Sequence, residues 1–157
     1  MKIEKYKQKK KPLIFIDESG FSVDAPRRHG YSFIGKRSYG KYNWNEKGRK
    51  NVIGALLENH LISTQIYSEN INSDIFHSWI SNQLIHQIPK KSILILDNAS
   101  FHKRLDIQES VKKAGHILLY QPSYSPDLNP IEKKWAYLKA MRRKYQINVE
   151  SLLDGFT

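Results

Sequence analysis

Ile93-Leu94-Ile95-Leu96-Asp97-Asn98 is the stretch on which the architecture turns. Four consecutive apolar residues with no polar alternation describe a short strand buried on both faces. The run then stops at an aspartate and an asparagine. Leu13-Ile14-Phe15-Ile16 is its counterpart near the N-terminus, and it stops at Asp17-Glu18-Ser19-Gly20, a turn signal. Ile117–Tyr120 is a third short run of the same kind. Between the first two, residues 31–66 alternate in apolar and polar patches, which predicts two or three antiparallel strands, including Val52–Leu57 and Leu61–Ile66.

Helices fill the intervals. From a Ser73 N-cap, Phe76, Trp79, Ile80, Leu84 and Ile88 recur at helical spacing, and Pro89 closes the segment. Residues 104–114 predict a short helix with Ile107, Val111 and Ala114 inward and Gly115 as its stop. After a Pro/Ser loop over 121–128, a last helix runs from Pro130 to about Arg143. Residues 2–11 carry six lysines and one glutamate and read as a flexible basic arm, taken as 1–12 ahead of a single domain over 13–157. The order predicts an α/β fold, a mixed sheet with helices packed on it.

Composition narrows the function. A chain of 157 residues fits one domain with a sizeable core. It holds no cysteine, so disulfides and thiolate metal sites are excluded, and any metal must sit on Asp, Glu, His or carbonyl oxygen. No apolar run reaches membrane-spanning length, and the apolar 13–16 run is too short for a signal peptide. No membrane partner is expected, and the cytoplasm, with the nucleoid, is the expected compartment. Lys and Arg number 26 against 15 Asp and Glu, a net charge of +11. Such a surface attracts polyanions, and nucleic acid is the usual one.

The carboxylates carry the chemistry. Side chains alternate along a strand, so Asp17 shares a face with Leu13 and Phe15, and Asp97 with Ile93 and Ile95. If the two strands are neighbours in register, two carboxylates converge at one end of the sheet. Like charges so held repel, and a cation between them is the natural remedy; hard oxygen ligands favour Mg²⁺ or Mn²⁺. Glu18 should face the other way. Glu132 falls at the third position of the last helix, after Asn129 and Pro130, where a capping-box acid also sits. It shares a helix face with Ala136, Lys139 and Arg143, an arrangement that suits a metal beside a phosphate backbone or an ordinary solvated face. Ile131, Trp135, Leu138 and Tyr145 form the apolar stripe.

Ile16-Asp17-Glu18-Ser19, Leu96-Asp97-Asn98-Ala99-Ser100-Phe101-His102 and the long block Tyr124–Trp135 resemble three blocks of the mariner-like bacterial insertion-sequence transposases, the IS-six-thirty group of the Tc/mariner superfamily. The spacing agrees, with 34 residues between Asp97 and Glu132. The resemblance implies a ribonuclease-H-like fold and a DDE triad of Asp17, Asp97 and Glu132 as catalytic residues and metal ligands. It further implies two divalent ions, Asn98 and His102 in support of the site, and cut-and-paste transposition of double-stranded DNA into a TA target by a DNA-bound homodimer. His102 reads equally well as a surface histidine. Members of the group usually carry an N-terminal helix-turn-helix region, expected here to be absent or separately encoded. The rival readings are a ribonuclease-H-like structure-selective nuclease and a catalytically silent, DNA-binding remnant.

Candidate DNA contacts are Arg27, Arg28, Lys36, Arg37, Lys41, Lys47, Arg49 and Lys50, interleaved with Tyr39, Tyr42 and Trp44. The alternative for this stretch is a basic hairpin with its aromatics in the core. Lys139 and Arg143 add contacts beside Glu132, and Lys133, Lys134, Arg142, Arg143 and Lys144 form a second basic cluster.

Overall fold

The computed structural model describes residues 2–22, 49–97, 103–122 and 129–156. Five strands form one mixed sheet: β1 (Leu13–Ser22), β2 (Arg49–Leu57), β3 (His60–Tyr67), β4 (Ile93–Leu96) and β5 (Ile117–Tyr120), in the order β3-β2-β1-β4-β5. β1, β2 and β3 pair antiparallel; β4 joins β1 in parallel, and β5 joins β4 in parallel. All four side chains of β4 are fully buried, as its unbroken apolar run requires.

Helices cover both faces. α1 (Lys2–Gln8), α5 (Pro130–Tyr145) and α6 (Val149–Phe156) lie on one side, where Phe15, Val52, Leu56, Ile93 and Ile95 meet Ile131, Trp135, Leu138, Leu152 and Leu153. The other side holds α2 (Ser73–Trp79), which continues through a π-helical turn over Ile80–Leu84 into α3 (Ile85–Gln87), and α4 (Leu105–Lys113). There Ile14, Ile16, Ile53, Leu94 and Leu96 meet Phe76, Trp79, Ile80, Leu84, Ile107 and Val111. None of these helices is long and apolar enough to cross a membrane among the described residues.

The structure departs from the sequence reading at several points. β1 does not stop at Asp17 but runs on to Ser22, because β2 pairs with it residue by residue as far as Arg49. Residues 2–8 are helical rather than a loose arm, and Ile3 and Tyr6, three apart on one helix face, pack against the core. Asn72, not Ser73, caps α2, its side chain accepting from the Ile75 N–H at 2.9 Å. Ala114 is exposed, since α4 ends at Lys113 ahead of Gly115 with its φ of +86°. On α5, Arg142 takes the inward place expected for Tyr145, which is 53% exposed. At about 100° per residue Arg142 lies nearer the centre of the Ile131–Trp135–Leu138 stripe, and the negative charge of Glu150 on α6 lies near it. α6 was not expected. Its signals are an N-cap at Asn148, which accepts from the Ser151 N–H at 2.8 Å, and the spacing of Val149, Leu152 and Leu153.

Candidate active site

The parallel pairing of β1 with β4 runs Leu13↔Ile93, Ile14↔Leu94 and Phe15↔Ile95. Asp17 and Asp97 each lie two residues beyond that last pair, so the register sets them level with one another. Phe15, Ile93 and Ile95 all point to the α5 side, and alternation sends both aspartates the same way. Glu18 falls on the opposite face, with Ile14 and Ile16. Glu132 stands exposed in the first turn of α5, which packs across β1 and β2.

Why α5 comes so close is written in β2. Gly54 is the cross-strand partner of Asp17. A Cβ there would stand 2.6 Å from Cη2 of Trp135, so the missing side chain is the notch that receives the indole. Trp135 is one turn after Glu132, and it also meets Phe21 edge to face at 6.2 Å. The helix start is fixed by Asn129, whose buried side chain accepts from the Ile131 N–H at 3.1 Å. The cap is thus made by Asn129 with Pro130 at the helix start, and it does not call on Glu132.

The electrostatics agree with this convergence. The Asp17 carboxyl is pushed up to about 7, first by burial, then by Glu18, with Asp97 and Glu132 adding and a backbone hydrogen bond opposing. Asp97 and Glu132 therefore both stand close enough to act on the charge of Asp17. As they stand, no three acidic or histidine side chains form a metal cage among the described residues. The donor set nevertheless fits a hard divalent cation: it is all oxygen, Asp17 and Asp97 are half-buried, and Asp97 and Glu132 both bear on the charge of Asp17.

Cations surround the same corner. Lys139 lies 5.3 Å over the Phe21 ring, and its ammonium is held below its usual range by burial, Arg49 and Arg143, while Asp17 acts the other way. The Arg49 guanidinium lies across Gly20, in the space that a side chain there would need. Two of the expected basic contacts are used inside the chain: Lys50 pairs with Glu150, and Arg142 is buried. Lys134 donates to the Asn59 carbonyl at 3.1 Å. Asn98, His102, Arg27, Arg28, Lys36, Arg37, Lys41 and Lys47 lie outside the described residues. Gly54 escaped the sequence reading; a lone glycine inside an otherwise apolar strand run was its signal.

Comparison with known proteins agrees with this architecture. Residues 12–153 match the family model described as DDE superfamily endonuclease. The chain is 30% identical over 154 residues to the transposable element Tc3 transposase of Caenorhabditis elegans, covering 91% of this chain and 46% of that protein, so it spans about half that relative's length. The fold resembles the catalytic domain of Mos1 mariner transposase, at 16% identity with a TM-score of 0.65 over 96% of this chain and 71% of that one. It likewise resembles the Mos1 transposase paired-end complex with left transposon end, at 18% identity and 0.65 over 89% and 45%. A further Mos1 paired-end complex with Mn matches at 18% identity and 0.65 over 90% and 46%. The chain belongs to the DDE superfamily of endonucleases.

Proposed function

We propose that this chain performs the strand cleavage and strand transfer of cut-and-paste DNA transposition, using a divalent cation held by Asp17, Asp97 and Glu132. The observation that carries the reading is the register of β1 with β4, by which Asp17 and Asp97 each follow the last paired residue by two, on the sheet face that α5 covers. Mg²⁺ or Mn²⁺ fits the donor set, and two ions match three carboxylates; the Mos1 complexes with Mn and with Mg support the choice. Bound there, the cation supplies Lewis-acid stabilisation of charge at the scissile phosphate and an activated nucleophile.

The protein's own residues orient the substrate. Arg49, Lys139 and Arg143 neutralise phosphates beside the carboxylates. Trp135, seated on Gly54, fixes the height of α5 and with it the position of Glu132. One site serves both reactions because only the nucleophile changes, water in cleavage and a DNA 3′-hydroxyl in transfer. The substrate is double-stranded transposon-end DNA with a TA target, and two copies act together on paired ends.

The test is a joining assay. A labelled, pre-cleaved DNA end is incubated with the protein, a target duplex and Mn²⁺. Covalent end-to-target product supports the reading; hydrolysis with no joined product overturns it in favour of a nuclease of the same fold.

A further inference from the structure

Gln121 sits at the end of β5, where the strand meets the carboxylate end of the sheet. The pairing of β4 with β5 ends at Leu96↔Tyr120, so Gln121 lies level with Asp97 on the neighbouring strand. The ladder holds that far, since the Gln121 N–H donates to the Leu96 carbonyl at 2.7 Å. Ile117 and Leu119 pack on the α5 side of the sheet, and alternation puts Gln121 on that side with Asp97. Its residue is 5% exposed, and its side-chain Nε2 is buried with no hydrogen-bond partner among the described residues.

A buried amide donor without an acceptor is a cost to the fold, and such a group calls for an explanation. Adjacent strands are about 4.8 Å apart, and a glutamine side chain spans that gap. The acceptor level with it is the Asp97 carboxylate. We infer that Gln121 is a positioning residue: when the acids close on a divalent cation, its side-chain amide donates to the Asp97 carboxylate oxygen and fixes that ligand's orientation. Carboxylates that bind metals are commonly held by such outer hydrogen bonds. The inference rests on the reading of Asp17, Asp97 and Glu132 as the ligand set.

The test measures Mn²⁺ affinity by electron paramagnetic resonance and melting in EDTA, for the parent, Gln121→Met and Asp97→Asn. Methionine fills a similar volume without a donor. Gln121→Met should melt no lower than the parent in EDTA, because the unpaired amide is gone, yet bind Mn²⁺ at least tenfold more weakly. Should that variant fail to fold, Gln121→Asn, which keeps the amide but draws it back by one methylene, is read for the same loss of affinity. Mn²⁺ affinity within twofold of the parent overturns the inference. So does a loss confined to DNA cleavage, which would assign the amide to the substrate phosphate. A parent that binds no Mn²⁺, or an Asp97→Asn variant that binds it as the parent does, overturns the ligand set itself and Gln121 with it.

Discussion

The indole of Trp135 stands in the space that a side chain on Gly54 would occupy, 2.6 Å from its Cβ position. Gly54 pairs with Asp17, and Trp135 follows Glu132 by one turn, so this contact ties the helix that carries one acid to the strand partner of another. Gly54→Val should push α5 off the sheet. Overpacking of this kind costs about 1–3 kcal/mol. Cleavage should fall further than that destabilisation explains, because the displaced helix carries Glu132. Comparing the melting temperature with the cleavage rate well below it checks this; a loss of stability with an unchanged rate contradicts it.

The Asp17 carboxyl titrates near 7 in the fold against a usual value of 3.8. Between those values the native protein binds the proton that the unfolded chain releases. Metal-free stability therefore falls as pH rises from about 4 to about 7 and levels off above. The fall corresponds to the one proton that the native protein keeps and the unfolded chain releases over that window. Asp17→Asn should remove this fall and melt higher than the parent at pH 8 without metal. Mg²⁺ should raise the parent's melting temperature at pH 8 more than at pH 5, and leave Asp17→Asn unmoved. A parent whose metal-free melting temperature is flat from pH 5 to 8 contradicts this account of Asp17.

Arg49 and Arg143 act electrostatically on Lys139, which in turn feels Asp17. If they meet DNA phosphates, removing either charge weakens binding to all sequences alike. Each substitution to Ala should reduce the slope of log affinity against log salt by about 0.9. Lys50→Ala should leave that slope unchanged, because Lys50 is already paired with Glu150. Fluorescence anisotropy across a salt series separates the two classes. Equal effects at all three positions would argue against a phosphate track along this corner.

The parts legible in the sequence are those where local chemistry and tertiary context agree. Ile93–Leu96 reads as a buried strand because both of its faces are apolar, and its aspartate falls at the strand's end. Asp17 was located correctly on its face, although Asp17–Gly20 reads as a turn. Local turn propensity yielded there to the long pairing of β1 with β2, which no short window contains. Ile3 and Tyr6 were hidden among the lysines, and Arg142 was hidden by its charge, since a residue type says little about where its aliphatic stem packs. Gly54 and Gln121 needed the register: one matters because of what lies above it, the other because of what lies beside it.

Metal-dependent DNA nicking by Asp97→Asn, beside the parent, tests the central claim most directly. The substitution keeps the side chain's size and removes the charge. The parent should nick DNA with Mg²⁺ or Mn²⁺ and not in EDTA. Asp97→Asn should fold and melt like the parent yet lose more than the roughly 10–100-fold that loss of a supporting residue costs. Nicking by Asp97→Asn at the parent's rate would contradict the assignment of Asp97 and, with it, the three-carboxylate site.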